Sequence, residues 1–156
     1  MAWTVLARWT PPAARRWRVL LLNLFGARVH PSSVVYASAV IWYPPYLTMA
    51  AGSVMGPGVR CYCMAPISLG EGAIVSQRAH LCAGTHDIDD PEFQLEVHPI
   101  WIGASAWVGA EAFVGPGVRI GEGAVLGARG VAASDLEAGS VYAGNPARFL
   151  RKRGGC

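Results

Sequence analysis

IGASAWVGAEAFVGPGVRIGEGAVLGARGV, residues 102–131, decides the fold. Steps of six from Ile102 give Val108, Val114, Ile120 and Leu126. Glycine follows each aliphatic at once: Gly103, Gly109, Gly115, Gly121 and Gly127. Four places after each aliphatic stands a small or β-branched residue, namely Ala106, Ala112, Val118, Ala124 and Gly130. At an average glycine usage near ~7%, five aligned glycines arise by chance roughly once in a million. The stretch is a repeat.

A period of six suits neither an amphipathic helix nor a simple strand. It suits a parallel β-helix, in which each hexad supplies one short strand and a corner. The aliphatic fills the core, and the small residue at the fifth place leaves room for coils to stack. The glycine is expected to take backbone angles closed to other residues. Working back toward the N-terminus, Val29, Val35 and Ile41 form one set of three hexads. A two-residue jog, Leu47 and Thr48, separates them from Met49, Met55 and Cys61. A second jog, Ile67 and Ser68, precedes Leu69, Val75 and Leu81. A jog after every third hexad means three hexads per turn, with the jogs at one corner of a triangle.

Where the third jog is due, an excursion over residues 87–101 intervenes, leaving just after His86. It is acidic, and Pro91 and Pro99 exclude a regular helix through it. So long a loop in a compact repeat is usually functional. Before the hexads, residues 1–12 read as irregular. Residues 13–25 read as a helix, with Trp17, Leu20, Leu21 and Leu24 at helical spacing and Gly26 as its cap. Covering the open end of the β-helix is its expected task; lying on a membrane surface is the alternative that its arginines and tryptophan raise. After Leu126 the repeat fades. Asn145 and Pro146 are good N-cap and first-turn residues, so a short C-terminal helix is expected there. The expected organisation is residues 1–28 as an N-terminal segment and cap, 29–136 as the β-helix, and 137–156 as the tail.

The chain of 156 residues is long enough for one domain with a sizeable core. Only 15% of residues are charged while 53% are hydrophobic, more than a lone prism would bury, so an oligomer is expected. The net charge of +3, with no basic stripe interleaved with aromatics, gives no reason to expect nucleic-acid binding. Cys61, Cys63, Cys82 and Cys156 fit neither zinc-site spacing nor a disulfide framework. With no cleavable signal and no apolar run long enough to span a bilayer, a cytoplasmic protein with reduced thiols is expected.

Histidine is the side chain suited to acid–base work near neutrality, and four are present: His30, His80, His86 and His98. His30 reads as solvent-facing, and His98 as structural or substrate-facing. His80 and His86 hold the same place in successive hexads. The run Leu81-Cys82-Ala83-Gly84-Thr85-His86-Asp87, the loop, Pro99-Ile100-Trp101-Ile102-Gly103, Trp107-Val108-Gly109 and Gly144-Asn145-Pro146-Ala147-Arg148 occur in a known order. Together they resemble the hexapeptide-repeat O-acetyltransferases, most nearly those of colanic-acid and exopolysaccharide biosynthesis, and also the maltose, galactoside and xenobiotic acetyltransferases.

The resemblance implies an all-β, left-handed parallel β-helix of about five triangular coils. That hand is opposite to the usual rule for parallel crossovers. It implies acetyl-CoA as cosubstrate, no required metal, a sugar or polysaccharide-precursor hydroxyl as acceptor, and a homotrimer with active sites between subunits. By it His86 is the general base, and imidazole suits proton removal from a hydroxyl. Trp107 would line the acceptor or pantetheine channel, or else pack between subunits. Ala110 and Ala128 would hold the pantetheine arm by their backbones, and Arg148 and Arg151 the CoA phosphates. Asp87 would contact the acceptor or orient His86. Ala133 departs from a common threonine. Cys63 stands where relatives often carry an acceptor-facing asparagine. Two other classes remain in play: a γ-type carbonic anhydrase, for which a His-x₄-His pair is missing, and a non-catalytic scaffold.

Overall fold

The computed structural model describes residues 5–6 and 9–154; part of the irregular 1–12 lead, and Cys156, lie outside the described residues. The hexads fold as their spacing predicts. Ile102, Val108, Val114, Ile120 and Leu126 are all buried, while the residue before each faces outward or partly so, the alternation of a strand, except at Val125, which is buried as well. Three parallel sheets result. The first holds Arg28–Val29, Leu47–Met49, Ile67–Leu69, Ile100–Ile102 and Arg119–Ile120. The second holds Val34–Val35, Val54–Met55, Ile74–Val75, Trp107–Val108, Val125–Leu126 and Ser140–Ala143. The third holds Val40–Ile41, Arg60–Tyr62, His80–Cys82, Phe113–Val114 and Val131–Ala132. The chain visits them in rotation, making five full coils. A partial sixth follows, in which Leu136 bridges to Ile120 and Ser140–Ala143 extends the second sheet.

The jogs fall at one corner, as expected. Val29 pairs with Met49 and Cys61 with Leu81, twenty residues on, whereas Ile102 pairs with Ile120, eighteen on. The extra residues lengthen strands of the first sheet and place Leu47, Ile67 and Ile100 in the core, all fully buried. At the fifth place the small residues point inward. Where that residue is Ser33 or Ser53, both hydroxyls donate to the Ala50 carbonyl, at 2.8 and 2.7 Å.

The hexad glycines work differently from expectation. None of Gly103, Gly109, Gly115, Gly121 or Gly127 has a positive φ. That angle falls two places later, at Ser105, Glu111, Gly117, Gly123 and Arg129. Gly109 is required by the coil above instead: a Cβ there would lie 2.6 Å from the backbone nitrogen of Ala128. Gly109→Ala should therefore cost about 1–3 kcal/mol, as overpacking does. Its Tm should drop by several degrees, at ~2–4 °C per kcal/mol. An unchanged thermal melt would contradict this close-approach account.

Helix α1, Arg15–Leu24, covers the first coil. It ends where Gly26 takes φ +92°, with the Gly26 and Ala27 N–H groups donating to Asn23 and Leu22 carbonyls. The helix also blunts the open sheet edges. Asn23 accepts from the Val29 N–H at 2.8 Å and donates to its carbonyl at 2.9 Å, as a neighbouring strand would. Arg18, not among the expected core positions, is buried and donates to the Val35 carbonyl at 2.7 Å. Of the expected stripe only Leu21 is buried; Trp17, Leu20 and Leu24 face outward.

Two boundaries are corrected. The excursion is a hairpin that begins at Gly84 and is over before Ile100, so Ile100 and Trp101 belong to the first sheet rather than to a loop over 87–101. The C-terminal helix is absent. Arg148–Lys152 is a strand returning antiparallel along Ser140–Ala143, with the intervening turn tied to Val131 by two backbone hydrogen bonds. The edge of the sixth coil explains this, because a helix would leave its N–H and C=O groups unpaired.

Candidate active site

Gly84–His86 pairs antiparallel with Leu95–Val97, lifting His86 off the prism. His86 therefore does not share a corner position with His80. The hairpin's tip spends its acidic residues on its own fold. Asp87 Oδ1 accepts the Asp89 N–H at 2.9 Å, and Asp90 Oδ1 accepts the Glu92 N–H at 3.0 Å. Phe93 takes φ +51° and turns both ring and carbonyl onto His86. The two rings stack at 4.4 Å, nearly parallel, and His86 Nδ1 lies 2.8 Å from the Phe93 carbonyl oxygen. A carbonyl only accepts, so Nδ1 carries the proton of the neutral ring and Nε2 keeps its lone pair. Among the described residues Nε2 has no hydrogen-bond partner, and the side chain is exposed. Phe93 thus orients His86, one of the two tasks expected of Asp87.

Gly84 and His86, two apart on one strand, face the same side. On that side Tyr62 packs so close that a Cβ on Gly84 would lie 3.2 Å from its ring. Tyr62 belongs to a pocket of about 350 Å³ on the outer face of the third sheet, with Trp42, Arg60, His80 and Cys82. Trp42 and Tyr62 meet edge to face at 5.3 Å. His80 packs against Phe113, and burial, then Arg60, lowers its pKa and keeps it neutral.

Cys63 has no exposed surface, yet it lines a small pocket together with Trp42, Tyr43, Tyr46 and Met64, and its thiol exchanges two 3.2 Å hydrogen bonds with the Tyr43 backbone. The neighbouring Cys61 thiol also shares a hydrogen bond with Cys63, which lowers the Cys63 pKa to about 7; the same bond, then burial, raises that of Cys61.

The remaining expected residues gather along another edge. Ala110 and Ala128 occupy the corner between the second and third sheets, one coil above the other, where the Arg129 N–H donates to the Ala110 carbonyl at 2.8 Å. Higher on that edge, Arg148 pairs with Ala143, and exposed Arg151 follows on the same strand. Trp107, about half exposed on the second sheet, donates from Nε1 to Ser76 Oγ at 2.8 Å. The hairpin leaves from the corner between the third and first sheets, so the width of the third sheet separates His86 from this group. Six residues at ~3.3 Å each span up to ~20 Å. One chain does not bring them together.

A family model described as the hexapeptide repeat of succinyl-transferase matches residues 99–131. The colanic acid biosynthesis acetyltransferase WcaF of Escherichia coli is 39% identical over 154 residues, covering 97% of this chain and 85% of that one. The chain belongs to the hexapeptide-repeat acetyltransferase family. It is an acyltransferase. Solved members of the family share its fold. A maltose O-acetyltransferase from Clostridium difficile is 21% identical with a TM-score of 0.85, covering 97% of this chain and 82% of that one. A hexapeptide-repeat acetyltransferase from Vibrio cholerae, solved with acetyl coenzyme A, is 22% identical with a TM-score of 0.85, covering 99% and 85%.

Two features of this acetyltransferase escaped the sequence reading. Phe93 sits in an aperiodic tip, where nothing signals which backbone carbonyl will meet His86. The pocket did leave a signal. Trp42, Tyr62 and Cys82 recur every twenty residues, the length of one jogged coil, and so stack in one outward column.

Proposed function

We propose that this acyltransferase moves an acetyl group from acetyl-CoA to a hydroxyl of a sugar or polysaccharide precursor, with His86 as general base. The observation that carries the reading is the His86 ring, fixed through Nδ1 by the Phe93 carbonyl with Nε2 free. Nε2 takes the hydroxyl proton as the acceptor oxygen attacks the thioester carbonyl. A backbone N–H stabilises the tetrahedral oxyanion. Collapse expels the CoA sulfur, which recovers the proton from the imidazolium, so no acyl-enzyme forms. The aromatic pocket beside Tyr62 suits the apolar face of a sugar ring. The name of the WcaF relative supports a polysaccharide context. The free thiols Cys61, Cys63 and Cys82 accord with the cytoplasm.

In this reading the Ala110 and Ala128 corner holds the pantetheine arm beside Trp107, and Arg148 and Arg151 meet the CoA phosphates. Because His86 and that corner lie on different edges, a site is completed by a neighbouring prism, and the homotrimer follows. Purified protein, acetyl-CoA and a panel of hydroxylated sugars should release free thiol and add one acetyl mass to the accepted sugar. Thiol release no faster than without protein, across the panel, would overturn the reading. Light scattering should give three times the 16.5 kDa chain mass; a monomer would remove the shared site.

Arg148→Ala with Arg151→Ala should raise the KM for acetyl-CoA. Hydrogen bonds to charged groups are worth about 1.5–3 kcal/mol each, less where solvent screens them. Both side chains are exposed, so a rise of roughly tenfold, about 1.4 kcal/mol, is expected. An unchanged KM would return these arginines to a solvated strand.

A further inference from the structure

We propose that the α1 end of the prism docks on an anionic membrane surface. Charge is divided unevenly along the chain. Residues 1–70 contain six arginines and neither aspartate nor glutamate, a formal +6, while residues 71–156 carry −3. The acid-free part builds α1 and the first coils, so that end of the molecule carries arginines with no carboxylate of its own, whereas the basic residues of the far end share it with Glu122, Asp135 and Glu137. On α1 the buried residues are Arg18, Val19, Leu21 and Leu22. Turned away from the prism are Trp17, Leu20 and Leu24, at 46%, 50% and 72% exposure, beside exposed Arg15 and Arg16. Three large apolar side chains on one face of a ten-residue helix are more than scattered exposure explains.

An apolar face flanked by arginine and tryptophan is the pattern of a helix lying in the plane of a bilayer interface. Ten residues at 1.5 Å each rise about 15 Å, half the hydrocarbon thickness, so the helix lies on the membrane and does not cross it. Beside it a groove of about 600 Å³, lined by Arg15, Arg16, Leu20 and His30 among others, offers cationic and polar groups to a lipid headgroup phosphate. Charge complementarity selects anionic lipid over a second copy of the chain, because two acid-free ends would repel. This inference does not rest on the catalytic reading, since α1 takes no part in the reaction.

Co-sedimentation of the full chain with vesicles tests it. The protein should pellet with vesicles of phosphatidylcholine mixed with phosphatidylglycerol, not with phosphatidylcholine alone, and added salt should release it. Arg15→Ala with Arg16→Ala should weaken binding by about fivefold per arginine. Leu20→Ser with Leu24→Ser should abolish binding while leaving oligomer mass, thermal melt and acetyl transfer unchanged. Failure of the wild-type chain to pellet with the anionic vesicles would overturn the proposal, as would equal pelleting of all variants. So would a serine variant that dissociates into smaller species while still binding vesicles, which would assign the stripe to contact between copies.

Discussion

Replacing His86 with alanine is expected to lower kcat by roughly 10²–10⁴-fold, the range for a positioned general base. The KM for acetyl-CoA should barely move, since the contacts proposed for the pantetheine arm and the phosphates lie on another edge of the prism. The rate of the wild-type enzyme should fall on the acid side as imidazole is protonated, and that limb should vanish in the variant. His80→Ala is the control. His80 lines the neighbouring pocket and packs on Phe113, so its loss should be milder and fall on acceptor KM. Steady-state kinetics with an accepted sugar decides between these outcomes. Near-normal turnover in His86→Ala would remove the catalytic assignment.

An effect at least as large is expected from replacing residues 88–97 with a short glycine–serine linker. That exchange leaves His86 in the sequence but removes the Phe93 carbonyl that fixes its tautomer, the stacked ring, and the strand that pairs with Gly84–His86. A freely turning imidazole divides its proton between both nitrogens and loses its aim. The coils do not depend on the hairpin. Ile67 pairs with Ile100, and Cys61 with Leu81, on the prism itself. Circular dichroism should therefore stay β-rich while transfer falls at least as far as in His86→Ala. Loss of the folded signal would show that the hairpin holds the prism together; retained transfer would show that Phe93 does not position the base.

The fold was legible because one inward aliphatic every six residues leaves little choice of architecture, and the jogs after Ile41 and Cys61 counted the strands per turn. The glycines were found but misread. Gly109 is spared a side chain by the Ala128 backbone, a contact nineteen residues away that no local pattern shows. The C-terminal helix failed for a related reason. Asn145 and Pro146 suit a helix start, yet the unpaired edge of Ser140–Ala143 outweighs that local preference and draws Arg148–Lys152 into a strand. At the candidate site, His86 was legible as a residue type in a motif, but its partner Phe93 was not. Cys63 was expected to face the acceptor only because relatives often carry an asparagine there; its thiol is instead held by the Tyr43 backbone, a partner twenty residues away. Arg18 could not be foreseen as buried, since its partners Val35, Thr10 and Pro11 are backbone or distant groups.

The central claim is that His86 from one prism and the Ala110–Ala128 corner of another complete a single site. Mixed oligomers test it most directly. His86→Ala loses the base, while Ala128→Trp blocks the exposed corner and keeps His86. Each alone should be nearly inactive. Co-expressed in equal amounts under different tags and purified through both, they should form hybrids that regain activity. Every doubly tagged trimer holds both variants, and one of its three subunit junctions, about a third, pairs an intact base with an open corner. Activity in the hybrids near that fraction of wild type is the predicted result. Hybrids no more active than either parent would contradict the shared site.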